Sequence, residues 1–336
     1  MPDRQGPHDF NATPFEEVMK AYINGSEINF DEGETILAAA KRNGYFIPSL
    51  CAFQPLNHTP GTCRVCLVEI TRASGETMIV TSCNTPMEEN MRVRTRTAKV
   101  RSMQRMQVEM LMADHDQNCT ACSRHGNCEL QDLGLYVGLT ENRFMDLLDK
   151  HRPVDRSATA LVRDLSKCVR CLRCVEVCRQ VQGIGALTLD GIGTNAAVGI
   201  AEAERWGDSP LCVQCGQCTL VCPTGALSER DETDKVLDYL NNPDIITVFQ
   251  FAPAVRVVLG EEFGIAPGSN VIGQVITALR QLGADVILDT DFAADVVIME
   301  EGTELLHKLQ HKDVLPMFTS CCPGWVNYAE KHYPDI

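Results

Sequence analysis

Cys168-Val-Arg-Cys171-Leu-Arg-Cys174-Val-Glu-Val-Cys178 and Cys212-Val-Gln-Cys215-Gly-Gln-Cys218-Thr-Leu-Val-Cys222-Pro223 are two near-copies of one run. Three thiols two residues apart, with a fourth three residues on, is the spacing of bacterial two-cluster ferredoxins. There the fourth cysteine of each run ligates the other cluster. The spacing therefore predicts one 4Fe–4S centre on Cys168, Cys171, Cys174 and Cys222, and another on Cys212, Cys215, Cys218 and Cys178. Arg179 stands where the second copy has Pro223, which alters the local turn and leaves the ligand count intact.

Two further sets lie upstream. Cys51-x11-Cys63-x2-Cys66-x16-Cys83 offers one close pair and two distant thiols, four thiolates that suit a 2Fe–2S unit held by a loop and the ends of other segments. A four-cysteine zinc site uses the same ligand number, but zinc ribbons pair two CxxC units and only one occurs here. Gly61 lets backbone approach the sulfides. The second set is His115-x3-Cys119-x2-Cys122-x5-Cys128. One imidazole with three thiolates also fits zinc; read as a 4Fe–4S site, the neutral histidine removes a negative charge and raises the potential. These sets account for fifteen of the seventeen cysteines. The other two are adjacent, in Thr319-Ser320-Cys321-Cys322-Pro323, and are read as a fifth metal site on a buried strand-to-helix turn rather than as packed thiols.

The elements around these sets indicate a multidomain α+β chain. Asn24-Gly25 marks a hairpin between Val18 and Phe30. A short helix follows over Thr35 to Asn43, stopped by Gly44, and then a strand pair near Cys66 to Ile70 and Thr77 to Thr81. Residues 97–113 read as a helix whose methionine stripe packs into the core, and 129–160 as a polar connection. From Asp244 the texture alternates: strand at Ile245–Phe251, helix at Val271–Leu282, strands at Val286–Leu288 and Val296–Met299, the opening of an α/β domain. The boundaries drawn are 17–96, 97–154, 155–240 and 241–336.

A net charge of −15 argues against a nucleic-acid partner. No apolar run approaches the roughly 18 residues of a membrane span, and Met1 to Phe10 lacks the apolar core of a secretory signal. The expectation is a reducing cytoplasm in which the thiols are metal ligands.

With its motifs in this order, the chain resembles the N-terminal portion of the multi-cluster FeFe (iron-only) hydrogenases, most closely the catalytic subunits of multisubunit NAD(P)-linked enzymes. The resemblance runs from about Val18 to the end, and Phe318-Thr319-Ser320-Cys321-Cys322-Pro323-Gly324-Trp325 matches the family's first active-site signature. It implies a β-grasp 2Fe–2S domain, a one-His/three-Cys 4Fe–4S module, a two-cluster ferredoxin domain and the start of an α/β catalytic domain. It also implies an H-cluster in the intact protein, with Cys322 binding its 4Fe–4S half and Cys321 exchanging protons with the di-iron half. Glu301 and Glu304 fall in the matched proton-route segment, and their spacing of three sets both on one helical face. Ala252 and Pro253 match a stretch lining the di-iron pocket, Pro253 suiting a helix start. The implied reaction is reversible, two protons plus two electrons to H2, in anaerobic metabolism. The implied partners are a flavin-bearing NAD(P)H-binding subunit, a small 2Fe–2S subunit and ferredoxin. The family's second and third signatures are expected beyond Ile336, so the chain reads as a truncated record. The rivals are a non-catalytic iron–sulfur conduit or sensor, and the electron-entry region of a formate or NADH dehydrogenase. The Cys321-Cys322-Pro323 signature speaks against the dehydrogenases.

Overall fold

Asn24 and Gly25 both take positive φ, 52° and 93°, as a two-residue hairpin turn with the strands' own twist requires. They join β1 (Met19–Ile23) to β2 (Ser26–Phe30), with Ile23 opposite Ser26. The structure, a computed structural model, describes residues 19–144, 152–311 and 314–335. Val18, Met1 to Phe10 and part of the 129–160 connection, all used in the sequence reading, lie outside those residues.

Thr35 caps α1 (Ile36–Arg42) by accepting the Ala38 N–H, and Gly44 beyond it sits at φ 77°. β3 (Leu67–Thr71), β4 (Thr77–Thr81) and β5 (Arg92–Arg94) complete a five-stranded sheet in the order β2-β1-β5-β3-β4. Alternation decides its faces. Ala21, Ile23, Val68, Ile70 and Val93 are buried in one core with Ile36, Ala39 and Ala40 of α1, while Arg92 and Arg94 face outward.

α2 (Ala98–Ala113) is capped by Thr97. Its methionines were expected to pack into the core, and they divide: Met112 packs against the core around Val108 and Leu133 and Met103 is half-buried, while two others lie outside it. Val100, Gln104 and Val108, four apart, are the buried stripe, and Gln104 Nε2 donates to Leu67 O at 2.8 Å. Met106 and Met110 fall on the opposite side and are exposed. Within the supposed connection, Glu129–Tyr136 forms a helix, α3, that buries Leu130 and Leu133.

Next come β6 (Val154–Asp155), β7 (Leu161–Asp164) and α4 (Arg173–Glu176), the last continuing as a π turn over Val177–Val181. β8 (Leu187–Asp190) and β9 (Ala197–Ile200) form a hairpin; α5 (Gln217–Leu220) and β10 (Leu227–Glu229) follow. β10, β7 and β6 make a three-stranded antiparallel sheet. These residues, with Pro323 onward, form one compact unit, and Asp231–Cys322 forms another.

The second unit holds α6 (Thr233–Leu240), β11 (Val248–Phe251), α7 (Val255–Glu262), α8 (Ile272–Gln281), β12 (Val286–Asp289) and α9 (Thr290–His311). β11 and β12 pair in parallel, Val248 against Val286, the strand–helix–strand arrangement expected of an α/β domain. Val296–Met299, read as a strand, lies inside α9. The apolar run is flanked by the helix formers Ala293, Ala294, Glu300 and Glu301, and no turn separates it from β12, so helical context overrides four residues of strand propensity. α10 (Pro323–His332) ends the described chain.

Candidate functional site

The two near-copies interlock. One cavity is walled by Cys168, Cys171, Cys174 and Cys222, and a second by Cys178, Cys212, Cys215 and Cys218. The fourth cysteine of each run thus faces the other run's cavity. Each opens to solvent and encloses only a small, largely apolar space between the sulfurs. A third cavity is lined by His115, Cys119, Cys122 and Cys128. Cys51, Cys63, Cys66 and Cys83 are all buried, the Cys51 N–H donating to Cys63 Sγ. Among the described residues no three or more His, Cys, Asp or Glu are arranged to grip a single ion.

The local backbone is shaped to present these sulfurs. Arg64, Arg170, Leu172 and Gln214, each lying between two cysteines of a set, take left-handed φ of 55°, 53°, 63° and 55°. Non-glycine residues avoid that region; here it turns amide N–H groups toward sulfur. Arg170 N–H donates to Cys168 Sγ and Gln214 N–H to Cys212 Sγ, both at 3.4 Å, and Cys51 N–H to Cys63 Sγ at 3.4 Å. Trp206 Nε1–H adds a donor to Cys212 Sγ at 3.2 Å. Such donors stabilise thiolate charge. Gly61, at φ 66°, leaves no room for a Cβ, which would meet Asn84 Nδ2 at 2.7 Å.

Burial pushes the Cys171, Cys174 and Cys218 thiols well above their usual range. Hydrogen bonds from Cys63 and Cys83 draw Cys51 down. Burial holds His115 below its usual value and hence neutral, and its buried Nδ1 has no hydrogen-bond partner among the described residues. The neutral imidazole nitrogen and the three thiols that line this cavity are donor types that metal centres use.

The sets adjoin one another. A single core holds Leu50, Cys51, Cys63, Cys128, Val169 and Cys171, so cysteines of three sets share it. His58 Nε2 is 2.8 Å from Cys171 O, and Arg124 donates to Cys222 O at 2.7 Å. A second core holds Cys174, Cys218 and Cys222 around Trp206. The Cys168–Cys222 cavity is the common member. α10, which follows Cys322 in sequence, is fixed to the Cys212 loop by Lys331 Nζ on Cys212 O at 2.8 Å and Asn327 Nδ2 on Val213 O at 3.3 Å.

Cys321 and Cys322 are exposed, where a buried turn was expected. The described segment before them, residues 314–320, is irregular rather than a strand. Ser320 Oγ accepts the Cys322 N–H at 3.1 Å. Thr319 Oγ1 donates to the Glu301 carboxylate, bringing α9 against the segment two residues before Cys321. Glu304 is instead paired with Lys308 at 3.0 Å and is more than half exposed. Ala252 and Pro253 are exposed just past the C-terminal end of β11, where Thr290 Oγ1 donates to Phe251 O at 2.5 Å. The ends of parallel strands are where α/β folds place ligands. Sequence reasoning missed Arg124, Arg173, Gly225 and Trp206, none of which belongs to a recognisable spacing.

Comparison with known proteins matches four stretches of the chain to families. Residues 16–98 match a 2Fe–2S iron–sulfur cluster binding domain, 104–143 the iron–sulfur binding region of NADH-ubiquinone oxidoreductase G, and 167–226 a 4Fe–4S dicluster domain. Residues 245–336 match the C-terminal domain of the iron only hydrogenase large subunit. The chain is 42% identical, over 94% of its length and 54% of the relative's, to the NADP-reducing hydrogenase subunit HndD of Solidesulfovibrio fructosivorans. It is 38% identical, with the same coverage, to iron hydrogenase 1 of Clostridium pasteurianum. It spans about half the length of the curated relatives it matches. A crystal structure of an NAD+-reducing [NiFe]-hydrogenase aligns over 63% of this chain and 87% of its own, with 29% identity and a TM-score of 0.58. No described helix is long and apolar enough to cross a membrane.

Proposed function

We propose, from the homology of this chain to the N-terminal portion of multi-cluster iron-only hydrogenases along nearly its whole length, that it carries the electron relay and part of the hydrogen-converting site of such an enzyme. The observation that carries this reading is the continuity of the cysteine-lined cavities through two cores with one cavity in common.

Cys51, Cys63, Cys66 and Cys83 would hold a 2Fe–2S cluster on a β-grasp-like domain. His115, Cys119, Cys122 and Cys128 would hold one 4Fe–4S cluster, and the two interlocked runs two more, with Cys322 a ligand of the H-cluster. Loaded, these centres pass single electrons and the di-iron centre exchanges them with protons for hydrogen. The chain's own residues bury the sulfurs, point N–H donors at them and keep neighbouring cavities in one packed core. Glu301 and Glu304, one helical turn apart, would take protons in series, and Cys321 would deliver them to the reacting centre. The hydroxyl of Thr319 holds the Glu301 carboxylate against the Cys321 segment. Ala252 and Pro253 would line the di-iron pocket. Electrons would enter from a flavin-bearing NAD(P)H-binding subunit and a small 2Fe–2S subunit, or from ferredoxin, in the cytoplasm.

The exposure of Cys321 and Cys322 favours a second reading, an electron conduit without hydrogen chemistry. Hydrogen evolution from reduced viologen, by the polypeptide purified anaerobically from its source cell, separates the two. Evolution abolished by Cys321→Ala supports the hydrogenase. Electron transfer with neither evolution nor uptake of hydrogen leaves the conduit.

A further inference from the structure

Arg173 sits inside the Cys171-Leu-Arg-Cys174 run, and its side chain is only 6% exposed. Its guanidinium makes a two-pronged pair with Glu129, at 2.7 and 2.8 Å, and Glu129 follows Cys128. Its Nη2 also donates to Leu50 O at 2.5 Å and reaches Ala52 O at 3.3 Å, the carbonyls on either side of Cys51. The ring of Phe53 covers the group, 5.3 Å from the guanidinium carbon to the ring centroid. The buried Nε–H has no acceptor among the described residues, so one donor remains unused. A single cation is thus fixed between the Cys51 loop and the Cys171 loop, and its one carboxylate partner is about half exposed.

We propose that Arg173 is a positioning residue shared by two cluster sites, the 2Fe–2S site of Cys51 and the 4Fe–4S site of Cys168, Cys171, Cys174 and Cys222, and that its charge raises the reduction potential of both. The inference rests on those cavities holding clusters. Reducing either centre adds one negative charge, and a fixed cation in a low-dielectric interior stabilises that charge far more than a solvated one does. Glu129 works in the opposite sense, and its exposure weakens it. A bare structural tie would need no charge. Neutral donors on Leu50 O and Ala52 O would hold the loop, and an aliphatic partner would fill the space under Phe53. The buried charge therefore carries an electrostatic consequence that packing alone lacks.

The test is redox titration of the whole chain, loaded anaerobically with iron and sulfide and followed by electron paramagnetic resonance. Arg173→Gln lowers the midpoints of the 2Fe–2S signal and of one 4Fe–4S signal, each by at least about tenfold in the reduction equilibrium, about 59 mV for a one-electron couple. Arg173→Lys, which keeps the charge and loses the fork, moves them less. Glu129→Gln moves both upward. The proposal is overturned if Arg173→Gln moves neither or only one signal, or if Glu129→Gln moves them downward. Should Arg173→Gln fail to load, the sign of the Glu129→Gln shift decides, because that side chain lies on the wet side of the pair. Absence of cluster signals in the unaltered chain would instead refute the functional reading.

Discussion

Gly225 occupies the loop just after Cys222, and a Cβ built on it would lie 2.6 Å from Cys122 Sγ, 3.4 Å from Lys167 Cδ and 3.7 Å from Ser123 Oγ. Its φ is not left-handed, so alanine is conformationally permitted and only the contact opposes it. Ordinary carbon–sulfur contact begins near 3.6 Å, so in Gly225→Ala the sulfur must retreat by about 1 Å. The lysine methylene can swing aside. A metal-bound sulfur cannot, because ligand distances are held within about 0.2 Å. The substitution should therefore cost about 2 kcal/mol of overpacking and, more sharply, unseat the cluster that His115, Cys119, Cys122 and Cys128 would hold. If the four ligand sets bind about fourteen irons, Gly225→Ala should retain about ten. Iron and acid-labile sulfide analysis of the anaerobically loaded chain reads this directly, beside Cys122→Ser as the reference for the same loss. Full iron content with an unchanged reduced spectrum would refute the claim that the Cys222 loop abuts the second site.

The turn at Asn24-Gly25 should resist a side chain: Gly25→Ala, at φ 93°, loses about 1 kcal/mol in a thermal melt although nothing crowds the site. Arg143 grips the buried Glu109 carboxylate at 2.6 to 3.1 Å and holds its pKa below the usual carboxylate range. A depressed folded pKa means stability that is complete above the unfolded value of about 4.3 and lost as pH falls through the folded one. Arg143→Ala should therefore destabilise α2 at neutral pH, and the difference from the unaltered chain should shrink as pH drops below about 4; amide exchange along α2 measures both. Trp206→Phe removes the N–H donated to Cys212 Sγ and should lower the midpoint of one 4Fe–4S signal while the 2Fe–2S midpoint holds, a pattern checked by the same redox titration.

The cysteine spacing made the interlocked cavities legible, because a thiol's usefulness to a cluster depends on its distance along a tight loop, and that is written in the sequence. The Asn24-Gly25 hairpin and the Thr35 and Thr97 caps were legible for the same reason, being local. What stayed hidden was non-local. Arg173 meets Leu50 across 123 positions and Gly225 meets Cys122 across a fold boundary, and no spacing announces either. Met106 and Met110 of α2 misled because hydrophobicity marks a residue able to be buried, while the contact of Gln104 with the start of β3 at Leu67 turns them to the other side. Val296–Met299 misled because four apolar residues fit a strand and a helix equally well. At the Cys321-Cys322 pair the sequence carried the signature, but burial depends on what packs over a turn, which no turn motif encodes.

The left-handed residues threaded through the cysteine loops bear on how such a chain is made. Each of Arg64, Arg170, Leu172 and Gln214 holds its backbone about 1 to 2 kcal/mol above an ordinary conformation. Were clusters bound there, sulfur–metal bonds would offset that strain, which protonated thiols do not. Iron supply would then act on the stability of these loops as well as on electron transfer, and a metal-starved chain would open first at its cysteine turns, where proteases could reach it.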